Sequence, residues 1–172
     1  MFATAVLLAA SMVGGQANQP SEIPQELIED MKASVGRYSV EVTTGDTTMK
    51  GRATIRLSGG GHCIIVRIWL QDGDARIYYD FVSGWDSSTG GFTDQAVSSQ
   101  GEISTTRWKR ISATESEGVS EGTADGLKTR AKAKMDRKSP DEVIVSVTER
   151  MRGEKKIPDM KIRYRRIPEG KR

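Results

Sequence analysis

The sequence predicts an all-β protein, an antiparallel up-and-down meander that forms a barrel or half-barrel of about nine or ten strands, with one short N-terminal helix. Apolar and polar side chains alternate with a period of two from Arg37 to the C-terminal end. The 18 glycines far outnumber the 5 prolines, and glycine-containing turns separate the alternating runs. Both patterns are typical of many short strands joined by tight turns.

One domain, residues 24–168, accounts for the chain, because 172 residues leave little room for a second core. Its first element is a helix at 24–33. Pro24 suits a first helical turn, and Leu27 and Met31 lie on one apolar stripe. We expect this helix to lie against a barrel end or an open sheet face. Residues 18–23 form a linker, and residues 169–172 a tail.

Residues 1–17 are interpreted as a signal peptide. An apolar run from Ala3 to Val13 precedes Gly15 and Ala17, which fit a small-x-small cleavage site. No basic residue precedes the run, so a buried N-terminal strand is the alternative. The run is shorter than the roughly 20 apolar residues that span a bilayer. We therefore expect a periplasmic or secreted protein with no transmembrane helix in the mature chain.

The clearest alternations show which residues share a face of each predicted strand. Residues 127–135 place Leu, Thr, Ala, Ala and Met on one face and basic residues on the other. Runs at 38–43, 49–57, 77–85, 143–147 and 160–165 follow the same rule. Weaker strands are expected around 92–99 and 102–111. The polar segment 112–122 is interpreted as an exposed or fraying strand with a loop.

The segment GWDSSTGGF, residues 84–92, predicts a hairpin turn. An aspartate such as Asp86 can accept hydrogen bonds from backbone amides two residues on. Gly90 and Gly91 can supply positive φ angles. The alternative is a binding role at a barrel rim, in which Asp86 accepts from a ligand hydroxyl while Trp85 stacks on a ring.

The order of these motifs resembles a known family. Gly36-Arg37-Tyr38 opens the first strand, Gly84-Trp85-Asp86-Ser87-Ser88-Thr89-Gly90 forms a hairpin, and KIRYRR forms the last strand. Over residues 27–167 this order is similar to an uncharacterised bacterial domain-of-unknown-function family with a calycin-like, or lipocalin-like, barrel. The resemblance implies a calycin-like fold and no established reaction.

Few residues are available for catalysis or for metal binding. His62 is the one histidine and Cys63 the one cysteine, and adjacent strand residues point to opposite faces. A metal site of the two-His or three-His kind and a Ser-His-Asp relay with a spare base are therefore unsupported, and no cofactor is predicted. Asp80 could act as a carboxylate with a raised pKa, but Arg67 or Arg76 across the sheet would make it half of an ordinary ion pair.

Aromatic and acidic residues of the central strands are the candidate ligand-binding set. The hypothesis is a non-enzymatic barrel that binds a small apolar or amphipathic ligand, because such ligands bury themselves among aromatic side chains. An enzyme that uses Asp80 or Asp86 with a nearby tyrosine or arginine is the alternative. The candidate set is Trp69, Tyr79, Phe81, Trp85, Asp86 and Asp80.

The charge is unevenly distributed. Residues 123–172 carry 16 Lys and Arg against 8 Asp and Glu, a net of +8, so the overall +3 leaves −5 for the rest. A merged basic face would attract an anionic surface, whereas separate rows would be solvated outer faces that resist edge pairing. Only Tyr164 is aromatic in this half, which argues against a nucleic-acid surface. The basic rows are Lys50, Arg52 and Arg56; Lys128, Arg130, Lys132 and Lys134; and Lys161, Arg163 and Arg165.

Overall fold

A computed structural model describes residues 23–168 and residue 170. The predicted signal peptide at 1–17 and residues 18–22 of the predicted linker lie outside the described residues. Positions 169, 171 and 172 of the predicted tail also lie outside them.

One helix is followed by strands over the rest of the chain. In order, the elements are α1 (Gln25–Ser34), β1 (Gly36–Thr44), β2 (Thr47–Leu57), β3 (Cys63–Asp72), β4 (Ala75–Asp86), β5 (Gly91–Ser98), β6 (Ile103–Arg110), β7 (Glu115–Ala124), β8 (Leu127–Ser139), β9 (Glu142–Arg152), β10 (Lys155–Lys156) and β11 (Met160–Arg166).

The strands close into a barrel. Each strand from β1 to β9 pairs antiparallel with the next, β9 also pairs with β11, and β11 pairs with β1. The two-residue β10 pairs with β9 beyond the end of β11. The predicted all-β meander with one short helix is therefore confirmed, and the barrel is closed and not a half-barrel. Closure removes the sheet edges that an open meander would expose.

The alternation of the sequence sets the inner face. Tyr38, Val40 and Val42 of β1 point inward and are buried with Ile68 and Leu70 of β3. The intervening residues of β1 face solvent, as the period of two requires. This cluster is the hydrophobic core, and it lies on the β1 to β3 side of the barrel.

Helix α1 covers the end of the barrel at which β6 and β8 end. Leu27 and Met31 are buried beneath it. Asp30 forms ion pairs with Arg110 at 3.2 Å and with Arg137 at 3.3 Å, which tie the helix to both strands. These ion pairs are about one-third exposed, so each adds little beyond the apolar contacts.

A β-bulge interrupts β9 near the opposite end. The register of β8 and β9 shifts between Arg130 and Lys132, and Glu149 has a φ of 51°. The extra residue resets the alternation. Arg150 is thereby directed toward the interior, where it lies near Tyr79 and Glu102.

Candidate functional site

The inner wall of the barrel is lined unevenly. On β5 to β8 most inner side chains are small, whereas large aliphatic and aromatic residues line β1 to β4 and β11. Small residues on one wall leave room opposite large ones. The small inner residues are Ala96, Ser98, Ser104, Thr106, Ser116, Gly118, Ser120, Gly122, Ala124, Thr129, Ala131 and Ala133.

The interior retains accessible surface. Among residues 23–168, no large side chain is completely buried. Phe81, Trp108, Met135 and Tyr164 lie on the inner face, yet each keeps intermediate accessibility. Part of the surface of each residue is therefore not covered by packed atoms.

Asp94 of β5 is an acidic residue on this inner wall. Ser83 lies directly opposite it on β4, and Trp108 of β6 donates its indole Nε1–H to the Oδ2 of Asp94 over 2.6 Å. Burial raises the pKa of Asp94, and the hydrogen bonds from Ser83 and Trp108 oppose that rise. A buried carboxylate thus lies between Ser83 and Thr106 on the inner wall and accepts a hydrogen bond from Trp108.

Tyr164 approaches Asp94 from the opposite wall. It lies on β11, half of the ring away from β5. Burial raises the pKa of Tyr164, and the charge of Asp94 raises it further. The phenol and the carboxylate therefore both face the interior, and the phenol stays protonated at neutral pH.

Trp85 and Phe92 form the next inner pair beyond Ser83 and Asp94. Their rings meet edge to face with centroids 6.2 Å apart. The indole Nε1 of Trp85 is buried and has no hydrogen-bond partner among the described residues. A buried donor without an acceptor is uncommon, because it loses water and gains nothing.

A second polar cluster lies near the end that α1 does not cover. The hydroxyl of Tyr79 donates to Oε2 of Glu102 at 3.4 Å, and burial, followed by Glu102, raises the pKa of Tyr79 to about 12. Arg150 donates to the Pro158 carbonyl at 2.7 Å, and burial lowers its pKa. Charged and phenolic side chains therefore lie at the end of the barrel opposite α1.

Three of the six predicted ligand-binding residues lie on the inner face. Tyr79, Phe81 and Trp85 alternate inward along β4, and the rings of Tyr79 and Phe81 have centroids 6.2 Å apart. Trp69 lies on the outer face of β3, where the Arg76 guanidinium lies 4.7 Å from the centroid of its ring.

The other two candidates also lie on the outer face. Asp80 forms an exposed ion pair with Arg67 at 2.8 Å, which was the alternative interpretation of this residue. Asp86 accepts from the backbone N–H of Ser88 at 3.0 Å and from its hydroxyl at 2.6 Å. These bonds lower the pKa of Asp86. Asp80 and Asp86 therefore stabilise the wall and the turn and do not line the interior.

The prediction that Gly91 has a positive φ in the hairpin turn was wrong. Gly90 has a φ of 65°, but Gly91 is not among the residues with positive φ. A Cβ at Gly91 would instead overlap the carbonyl oxygen of Trp108. Gly91 is thus required for the close approach of β5 and β6.

Asp94, Trp108 and Tyr164 were not among the candidates from the sequence. The available signal was an aspartate at the inner position between Phe92 and Ala96, in a strand whose other inner residues are apolar or small. That signal needs the register of β5, which the polar surroundings made difficult to assign.

The three basic rows differ in their surroundings on the outer face of the barrel. The β8 row faces acidic residues, since Lys134 pairs with Glu115 at 3.1 Å and Lys132 with Glu149 at 2.7 Å. Glu115 belongs to the segment 112–122. From Glu115 onward this segment forms the regular strand β7, which pairs with β8.

The rows on β2 and β11 come together because both strands pair with β1. The outer-face residues of β1 between them are Arg37, Ser39, Glu41 and Thr43. A hollow of about 170 Å³ is lined here by Lys50, Arg163 and other residues. A larger open hollow of about 590 Å³ lies on the outer wall of β6 to β9.

Other kinds of site are not supported by the described part of the chain. Within residues 23–168 and 170, no group of three or more His, Cys, Asp or Glu residues could hold a metal ion. No helix in this part is long and apolar enough to cross a membrane.

Among solved structures, the chain has a distant similarity to two designed β-barrels. No protein-family model and no curated protein matches the chain. A de novo designed fluorescence-activating β-barrel has 14% identity and a TM-score of 0.48, and the match covers 80% of this chain and 96% of that one. A redesigned β-barrel has 10% identity and a TM-score of 0.44, with 80% and 95% covered.

The strand pairing of the chain itself defines its class, a closed antiparallel β-barrel capped by a helix. Its interior holds the carboxylate of Asp94, which accepts a hydrogen bond from Trp108, and the neighbouring ring pair of Trp85 and Phe92.

Proposed function

We propose that the protein is a non-enzymatic binding barrel that holds a small apolar or amphipathic ligand in its interior. The observation that carries this proposal is the uneven inner wall, in which small residues of β5 to β8 face aromatic residues with accessible surface. Sites for small molecules are concave, mostly apolar and furnished with a few polar groups.

The ligand would rest against the inner aromatic residues. Phe81, Trp85 and Phe92 offer apolar rings from β4 and β5, and Asp94 with Trp108 offers the polar contact. Helix α1 closes one end of the site, and its weak exposed ion pairs would permit it to open for entry. Export, as residues 1–17 predict, forms part of this proposal.

The experiment is native mass spectrometry of the protein purified gently from its own source, followed by denaturing identification of any bound molecule. We expect a stoichiometric small molecule. The control is a pair of variants on neighbouring strands. Ala131→Leu fills the interior and should reduce occupancy at least several-fold, whereas Thr123→Leu on the outer face of β7 should retain the ligand.

Two results would count against the binding barrel. One is a protein that is empty from its source and takes up no apolar probe in solution. The other is equal occupancy in the Ala131→Leu and Thr123→Leu proteins, because a ligand outside the barrel would not sense the interior substitution.

A second candidate function is adhesion of the basic outer wall to an anionic membrane surface. Lys50 and Lys161 flank β1 on the merged wall and form no ion pair with any described residue, whereas Lys132 and Lys134 of β8 are paired. An unpaired lysine adds about 1 kcal/mol to adhesion on an anionic bilayer.

The double substitution Lys50→Ala/Lys161→Ala is expected to weaken binding to vesicles that contain anionic phospholipid by roughly thirtyfold. The matched double substitution Lys132→Ala/Lys134→Ala removes the same charge from paired positions and should weaken it less. Co-sedimentation at low and high salt measures both. Binding that is unchanged by salt, or equal loss in the two variants, would contradict a role for this wall.

A further inference from the structure

Asp94 is a carboxylate without a cationic partner. No lysine or arginine of the described chain forms an ion pair with it. Its neighbours Ser83, Trp108 and Tyr164 are neutral. Buried charges in proteins are paired or hydrogen-bonded, because desolvation of a lone ion is costly.

The carboxylate retains capacity for a further donor. Two carboxylate oxygens offer about four acceptor positions. Trp108 uses one at 2.6 Å, and Ser83 faces the carboxylate from β4. Asp94 also keeps intermediate accessibility although it lies on the inner face, so packed atoms do not cover it completely.

Aromatic rings lie on one side of this position along the strands. Phe92 is the next inner residue of β5, with Trp85 opposite it on β4 and Trp108 opposite it on β6. Tyr164 faces the interior from β11 on the far wall. A ring of aromatic faces attracts an organic cation, and the attraction is larger where water is excluded.

Trp85 provides an independent indication of an unfilled polar site. Its buried indole N–H has no acceptor, although it lies one inner position from the Ser83 and Asp94 pair. A bound molecule that carries an acceptor beside its cationic group would satisfy this donor.

From this arrangement we propose that the interior site takes a small organic amine, with its ammonium group on Asp94 and its apolar part against Trp85, Phe92 and the small-residue wall. This inference rests on the proposed function, since it names the ligand class of the same site. The protein contributes charge pairing and shape, and no covalent step is involved.

The test compares three probes with the same apolar tail: hexylamine, hexanol and hexanoate. Binding is followed by the fluorescence of Trp85 and Trp108 in a Trp69→Phe background, because Trp69 lies on the outer face. We expect hexylamine to bind at least about tenfold more tightly than hexanol, because a hydrogen bond to a charged group is stronger than a neutral one. Hexanoate should bind more weakly than either.

Two variants locate the effect. Asp94→Asn keeps an acceptor for Trp108 and removes the charge, so hexylamine and hexanol should then bind equally. Asp80→Asn removes a carboxylate from the outer face and should leave the preference unchanged. A preference that persists in Asp94→Asn would overturn the assignment to Asp94.

The outcomes separate this inference from the binding proposal. Equal binding of hexylamine and hexanol to the unsubstituted protein would refute the amine inference and leave the binding barrel standing. Absence of binding for all three probes and for longer homologues would refute both. The comparison on the unsubstituted protein decides the question even if Asp94→Asn does not fold.

Discussion

Gly51→Ala is expected to lower the free energy of unfolding by about 3 kcal/mol, and the midpoint of thermal unfolding by roughly 6 °C or more. Gly51 lies on the inner face of β2, opposite Val40 on β1 and Leu70 on β3. A Cβ at this position would overlap the backbone carbonyl oxygen of Trp69. A backbone atom cannot turn aside as a side chain can, so β2 and β3 would have to separate.

The expected loss reflects how the wall bends at this point. Glycine in a strand interior often marks a site where two backbones approach closely or a barrel wall turns. Val40 and Leu70 are both buried beside Gly51, so separation of the strands would also loosen the core.

Gly59→Ala is the matched control for Gly51→Ala. Gly59 lies between β2 and β3 in ordinary backbone conformation, and a Cβ there would meet nothing within 4 Å. Denaturant unfolding of both variants measures the difference. A loss of less than about 1 kcal/mol for Gly51→Ala would show that β2 and β3 tolerate a side chain at this contact.

The alternation of the sequence was sufficient to predict most of the barrel. Tyr38, Val40 and Val42 point inward as expected, because one buried face fixes the parity of a strand. The same parity places Asp80 and Asp86 on the face opposite Tyr79 and Phe81. Closure of the ring was harder to predict, since it depends on pairing between β1 and β11, more than 100 residues apart in the chain.

The candidate interior site could be predicted only in part. Tyr79, Phe81 and Trp85 follow from a strongly apolar alternation on β4. On β7 the inner residues Gly118, Ser120 and Gly122 carry no apolar side chain that would mark the inner face. Without that mark, the sequence did not indicate that β5 to β7 would bring Asp94 into the interior.

Asp94 also has a consequence for stability against pH. Its pKa in the folded protein is raised above the ordinary value of 3.8, mainly by burial. The folded state therefore holds a proton at pH values where the unfolded state has released it. Stability from this group is present at low pH and is lost as pH rises through the raised pKa.

Trp108→Phe is expected to lower the free energy of unfolding at pH 7 by about a further 2 kcal/mol. The substitution removes the indole N–H that donates to Asp94 at 2.6 Å and leaves a partly satisfied carboxylate among apolar side chains. The effect should be smaller near pH 4, because a protonated Asp94 no longer needs a charge-stabilising donor. Urea unfolding at the two pH values measures it.

A double-mutant cycle with Asp94→Asn separates the hydrogen bond from the space that the smaller phenylalanine leaves. Asparagine carries no charge at either pH, so Trp108→Phe in that background should cost only the lost packing and a neutral hydrogen bond. We expect a coupling energy of about 1.5 kcal/mol at pH 7 that shrinks toward pH 4. A coupling energy that is the same at both pH values would mean that Asp94 is not charged at neutral pH. The interior carboxylate would then offer a neutral acid to a ligand, and the ammonium group proposed for this site would lose its counter-ion.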